Sequence, residues 1–145
     1  MTLLLTHAAA TLAMVGVILM VQLVHYPLFR HVGRASYDTY QAEHMRRITW
    51  IVAPLMTIEL GTAIGLVWVP PSAVPLWMAW SGFGLVLFIW GTTGLVQVPL
   101  HSRLTEGFDA ATHRRLVRTN WIRTGAWMLR GGLVLWMLAS AFAET

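Results

Sequence analysis

Cysteine and lysine are absent from this chain of 145 residues, and acids are scarce: six Asp and Glu stand against ten basic residues, all of them arginine. The lack of cysteine excludes thiolate metal sites and the CxxCH attachment of a c-type haem, and it leaves the redox compartment unreadable. No Walker loop, GxGxxG, HExxH or GxSxG occurs, so none of the phosphate-cradling, zincin or serine-hydrolase motifs anchors a function. Polar surface is short as well. Hydrophobic residues make up 57% of the chain and the mean hydropathy is +0.62, which would leave a soluble domain of this length with too much exposed apolar surface.

What is present is four apolar runs of about 20 residues or more, the length that crosses a ~30 Å hydrocarbon core. The expected fold is all-α, a single integral membrane domain of four transmembrane helices over roughly residues 3–24, 48–69, 76–99 and 120–143. The first run lacks the basic start of a signal peptide and is too long for a signal-peptide core, so it is expected to be retained. Pro27 is expected to end helix 1. Ser36 is expected to cap a new helix with Asp38 in its first turn, a helix that runs on from the membrane surface as helix 2 and stops at Pro70-Pro71; Asp109 lies near a corresponding helix start. A tail of Glu144-Thr145 follows helix 4.

Charge sets the expected orientation. Arg30, Arg34, Arg46 and Arg47 flank the first connector, and Arg103, Arg114, Arg115 and Arg118 lie in the second, whereas the 70–75 loop and both termini carry none. The positive-inside rule places the connectors, residues 25–47 and 101–118, in the cytoplasm and both termini outside. The same reading accounts for a pI of 10.7 without nucleic acid. Trp50 and Trp121 are expected at the cytoplasmic interface, Trp68 and Trp77 at the outer one. Gly61 and Gly65 form a GxxxG, a mark of close helix packing within or between protomers.

The stretch 36–60 aligns without gaps on 107–131, matching Asp38 with Asp109, Arg47 with Arg118, Trp50 with Trp121 and Ile51 with Ile122. The chain thus reads as two parallel-related helical hairpins, about 1–70 and 71–145. This is an internal duplication of the kind known in membrane proteins, or a likeness that composition alone produces.

Polar residues inside the apolar runs are the candidates for function. Glu59 is the one acid within such a run, and Arg130 lies at similar depth in helix 4. Lone charges there cost at least ~2.5–3.5 kcal/mol each and seek one another, so an intramembrane Glu59–Arg130 pair is expected. It would serve as a register-fixing ion pair or as a proton or substrate site. At the cytoplasmic level each helix brings a polar pair: Gln22 with His25, Gln97 with His101, His44 with Arg47, and Asn120 with Arg123. Arg123, Trp127 and Arg130 lie on or near one face, and Arg123 either snorkels or points inward to hold an anion or a carbonyl oxygen. Such a ring admits several chemistries. Haem could use His25 and His101 as axial ligands. A non-haem metal on His25, His44, His101 and Glu59 looks strained, because Glu59 lies deeper. A cofactor-free pocket would use His25 or His44 as base, with Gln97, Asn120 and Arg123 stabilising an oxyanion. His7, His31 and His113 attract no role in this reading.

The segments 21–29 (VQLVHYPLF), Tyr40 with His44, Pro54 with Glu59, 96–101 (VQVPLH) and 119–124 (TNWIRT) through Arg130 resemble a bacterial family of small four-helix membrane proteins of unknown function. That family resembles in turn a domain-of-unknown-function group that includes anthrone-oxygenase-like proteins. The resemblance covers most of the chain. It implies a bacterial inner-membrane location and, as a reaction type, oxidation of polycyclic phenolic anthrones by oxygen without a cofactor; the catalytic residues of that branch do not map onto this chain.

These residues support three functional expectations. The leading one is a polar pocket near the cytoplasmic face that binds a flat hydrophobic ligand (a quinone, phenolic polyketide or porphyrin), with oxygenase-like chemistry. In it His25, His44 and His101 act as acid/base or ligand groups, and Gln22, Tyr26, Arg47, Gln97, Asn120, Arg123 and Trp127 orient the ligand over a Glu59–Arg130 floor. The second is an accessory subunit of a larger membrane complex or a homo-oligomer. The third is a small transporter or proton carrier using Glu59 and Arg130.

Overall fold

A computed structural model describes residues 1–143, so the expected tail at Glu144-Thr145 lies outside the described residues. Four helices, each long and apolar enough to cross a membrane, make up almost all of it: α1 (Thr2–Phe29), α2 (Arg34–Trp68), α3 (Leu76–Leu104) and α4 (Ala110–Ala143). No strand occurs among the described residues. They pack as a square, each helix against its two sequence or ring neighbours, with α1 seated most extensively, against α2 and α4. Gly131 lets α1 and α4 come close, because a Cβ there would stand 3.1 Å from Val15 Cγ2. Gly107 turns the chain from α3 to α4 at φ +136°, a conformation glycine adopts freely.

Three layers of core fill the square. Leu4, Leu66, Met78 and Met137 pack at the end nearest the chain termini. Met14, Ile18, Met56, Ile89 and Trp127 form the middle. Tyr26, Phe29, Tyr37, Leu100, Leu104 and Leu116 close the arginine-bearing end.

The helices run further than the apolar runs indicate. α4 holds 34 residues and is about 51 Å long at ~1.5 Å per residue, well beyond a ~30 Å hydrocarbon core. The polar helix start expected at Ser36 does run on into the span, and the one near Asp109 does likewise, leaving short turns between Phe29 and Arg34 and between Leu104 and Ala110. The reason is amphipathic spacing. Tyr37, Gln41 and His44 fall on one inward face, and so do His113, Leu116 and Asn120, while the arginines among them point out.

Pro27 does not end α1. The helix widens into a π turn over Val21–His25 and continues over Tyr26–Phe29. α3 does the same, with a π turn over Thr93–Gln97 ahead of Pro99 in Val98–Leu104. A proline ring clashes with the carbonyl four residues back, and a widened turn just ahead of it moves that carbonyl aside. Pro54 lies inside α2 without ending it.

Two expected local features come out differently. Ser36 occupies the position before the α-helical part of α2 but makes no side-chain capping bond; Asp38 Oδ1 instead accepts from the Thr39 amide at 2.7 Å. The Gly61–Gly65 motif is split: Gly65 packs on Leu3, while Gly61 faces open space. Trp50, Trp68, Trp77 and Trp121 are all exposed on the outer surface.

Candidate functional site

Two polar networks lie inside the bundle, at different levels. The deeper one is built from all four helices. Arg130 Nε donates to Glu59 Oε1 at 2.6 Å, and Thr11 Oγ1 donates to the same oxygen at 3.0 Å. Arg130 Nη1 donates to the Gly82 carbonyl, and Nη2 donates to His7 Nε2 at 2.9 Å. A guanidinium can only donate, so His7 Nε2 is the bare nitrogen. Its Nδ1–H then donates to Thr62 Oγ1 at 2.8 Å, and Thr62 passes its own proton to the Ile58 carbonyl at 2.7 Å. Every link has a defined direction. Glu59 Oε2 is the one buried atom of this network without a partner. The pair lies in the half of α2 nearer Trp68, away from the arginine-bearing end.

Sequence reasoning picked out Glu59 and Arg130 here and missed His7, Thr11 and Thr62. The signal was available. His7 and Thr11 are one turn apart in a largely apolar stretch of α1, and the cost that singles out Glu59 applies to a buried imidazole too.

The second network lies nearer the arginine-bearing end and borders a cavity of about 310 Å³. Met14, Ile18, Val52 and Met56 form its apolar wall, and Tyr26, His44, Gln97, His101 and Arg123 its polar end. Its exposed lining residues, Thr49, Ala53, Trp90, Gly94 and Val98, all belong to α2 and α3. The mouth is therefore the cleft between those two helices, and the Phe29–Tyr37–Leu104–Leu116 cluster fills the end of the bundle.

The π turns help to set the polar end. Each adds a residue to one turn and so rotates the residues beyond it, and such turns recur at functional sites. Tyr26 and His101 stand just past them, and the Tyr26 hydroxyl lies 2.7 Å from His101 Nε2. Gln41 Nε2 donates to His101 Nδ1 at 2.8 Å, so the ring, in this arrangement, gives its Nε2 proton to Tyr26. Arg123 borders the same end of the cavity. With the Tyr26 oxygen accepting from His101, the tyrosine proton is left for another acceptor.

Gln97 is held the other way round. Thr119 Oγ1 donates to the Arg115 carbonyl at 2.8 Å, so it accepts from Gln97 Nε2 at 3.0 Å. Gln97 Oε1 is buried and has no partner.

The remaining candidates are placed unequally. Gln22 and Asn120 stand behind the cavity as supports: Asn120 Nδ2 donates to Gln22 Oε1 at 2.8 Å and Asn120 Oδ1 accepts from Arg123 Nη1 at 2.8 Å. Trp127 is fully buried in the middle core. Arg47 is exposed and paired with Glu43 at 2.9 Å; it lies one turn from His44, but the acid one turn back draws its guanidinium outward. His25 does not line the cavity; its ring lies 5.5 Å from that of His44.

His113, given no role from sequence, donates from Nε2 to the Tyr26 carbonyl at 2.7 Å and ties α4 to the end of α1. Gln41 was likewise missed, since a glutamine next to Arg-rich sequence reads as surface.

The donor set does not suit the metal readings. Among the described residues no group of three or more His, Cys, Asp or Glu is arranged to hold a metal ion. Glu59 is committed to Arg130, both His101 nitrogens are engaged, and His25 and His101 do not face one another across the cavity as an axial haem pair would. Comparison with protein-family models, with curated proteins and with solved structures gave no match to this chain.

Proposed function

We propose that this chain is an integral membrane protein of a bacterial inner membrane that binds a hydrophobic, oxygen-bearing small molecule between α2 and α3. The observation that carries the reading is the cavity: apolar walls, a polar end of Tyr26, Gln97, His101 and Arg123, and a mouth on the helices' outer faces. Sites of this kind, mostly apolar with a few placed polar groups, are where small molecules bind. In a bilayer that mouth opens toward lipid, where such a ligand partitions. The arginine asymmetry supports connectors inside and termini outside, which sets the polar end toward the cytoplasmic leaflet.

What these residues can do is orient an oxygen and move a proton. Arg123 and the Tyr26 hydroxyl border the cavity with donors, and Gln97 borders it with a side-chain amide. If the Gln41 amide turns over, His101 Nδ1–H donates to it and Nε2 becomes free to take the Tyr26 proton. Tyr26 with His101 is therefore the acid/base pair of the proposal, in place of His25. An oxygenase-like reaction on a phenolic substrate is the chemistry that the resemblance to anthrone-oxygenase-like proteins adds, and its first demand is removal of a hydroxyl proton.

The test is extraction and mass spectrometry of small molecules from mildly solubilised protein, beside a variant whose cavity mouth is filled, Gly94→Trp. A Cβ at Gly94 meets nothing within 4 Å, so the larger side chain occupies the cleft without breaking the core. Wild type is expected to carry a compound that the variant lacks; identical extracts, with no added quinone or phenol bound by either protein, would refute the proposal.

A further inference from the structure

Arg123 is a cation for which the described residues supply no anion. It is 5% exposed, its Nη1 donates to the neutral Asn120, and its Nε is buried without a partner. The acids of the described chain are elsewhere. Glu59 is bound to Arg130, Glu43 to Arg46 and Arg47, and Asp109 to Thr112, while Asp38 and Glu106 are exposed. Tyr26, Gln97, His44 and His101, which share the cavity with it, bring no negative charge. A guanidinium stays protonated in a protein, and a buried charge is stable only when paired.

The same end of the cavity is lined by two donor groups, the Arg123 guanidinium and the Tyr26 hydroxyl. Donors converging with an uncompensated cation in an apolar enclosure are the requirements of an oxyanion site.

From this geometry we infer that the ligand of this cavity is a hydrophobic acid bound as its anion, with one ionised oxygen group against Arg123 and an apolar body among Met14, Ile18, Val52 and Met56. The inference rests on the cavity being a ligand site and fixes the charge of the molecule that enters it. A single negative oxygen group on an apolar body is common to acidic hydroxyquinones and to fatty acids.

The experiment measures binding to the full chain in nanodiscs at neutral pH for two pairs of probes. One pair is 2-hydroxy-1,4-naphthoquinone against its neutral 2-methoxy ether; the other is laurate against methyl laurate. Quenching of Trp90, which lines the cavity, reports the quinones, and calorimetry reports all four. At least one acid is expected to bind on the order of 10- to 100-fold tighter than its neutral partner, the range of a charge-assisted hydrogen bond in place of none. Which pair shows the gap identifies the body the cavity fits. Arg123→Gln should bring acid and neutral affinities together, and Arg123→Lys, which keeps the charge, should keep a reduced gap and serves if the glutamine variant does not fold. Equal affinity of acid and neutral partner in wild type, or a gap that survives Arg123→Gln, overturns the inference and leaves the ligand site standing. Binding of none of the four overturns both.

Discussion

Breaking the Glu59–Arg130 pair should be among the most destabilising single changes available to this protein. Both side chains are buried, Glu59 at 0% and Arg130 at 2% exposure, so water cannot take over for a lost partner. Arg130→Gln would leave a carboxylate with Thr11 as its one hydrogen-bond donor and Oε2 already bare. Removing one member of a buried pair costs about 3–5 kcal/mol. Glu59→Gln should cost less, toward the lower end of that range, because Arg130 keeps Gly82 and His7 as acceptors. The double variant carries no net charge into the core, so its cost should fall short of the sum of the singles by about 2–3 kcal/mol. Unfolding titrations in mixed micelles, followed by helicity and tryptophan fluorescence on all four members of the cycle, measure each term. Singles within about 0.5 kcal/mol of wild type, or singles that simply add, would refute the register-fixing role. A Glu59→Gln variant that is fully stable yet abolishes proton flux in liposomes would move the pair to the carrier reading.

Two further predictions concern the frame. Gly82→Ala should be tolerated, since a Cβ there stands 3.5 Å or more from Arg130 Nη1, Leu133 and Met137, whereas Gly82→Leu should displace the guanidinium and lower the unfolding midpoint as Arg130→Gln does; equal midpoints for the two substitutions would count against the contact. On the connector, Asp109 Oδ2 accepts from the Thr112 amide at 2.7 Å, and these hydrogen bonds to Thr112 hold its carboxyl below the usual carboxylate range. A depressed folded-state value means the contribution is present above the unfolded-state value and is lost as pH falls through the folded one. Asp109→Ala should therefore lower Tm at neutral pH, with the gap to wild type closing in acid; a gap independent of pH would assign the loss to something other than the charged cap.

Much of the frame was legible because it comes from one rule applied four times: about 20 apolar residues make a helix that can cross hydrocarbon. The same rule gives only the apolar spans and stops where the sequence turns polar. The polar helix starts at Ser36 and near Asp109 come instead from the capping pattern, and the inward positions Tyr37, Gln41, His113 and Leu116 carry the helical spacing that joins those starts to the spans. Within the site, Gln97, His101 and Arg123 were reachable by asking which polar groups share a helix face near one level. His25 and Arg47 were not separable from them by that question. Rotation past a π turn and the pull of an exposed acid decide which way those side chains point, and neither is written in a count of three or four residues. Tyr26–His101–Gln41 spans three helices, so no spacing within one helix could have assembled it.

Arg123 and Arg130 are seven residues apart on one face of α4, and both are buried. For Arg130 the fold supplies a carboxylate, an imidazole nitrogen and a carbonyl, one from each of the other helices. For Arg123, which lines a cavity, it supplies one amide oxygen and leaves Nε without a partner. If both served only to fix helix register, the second would be a poor choice: an unpaired buried cation costs stability that a glutamine or methionine at the same position would not. A cost left uncompensated inside one protein chain is accounted for when something outside the chain compensates it. On the proposed reading, a molecule held by the apolar cavity wall brings its polar end to Arg123, which lines the cavity, and completes the network that the fold leaves unfinished.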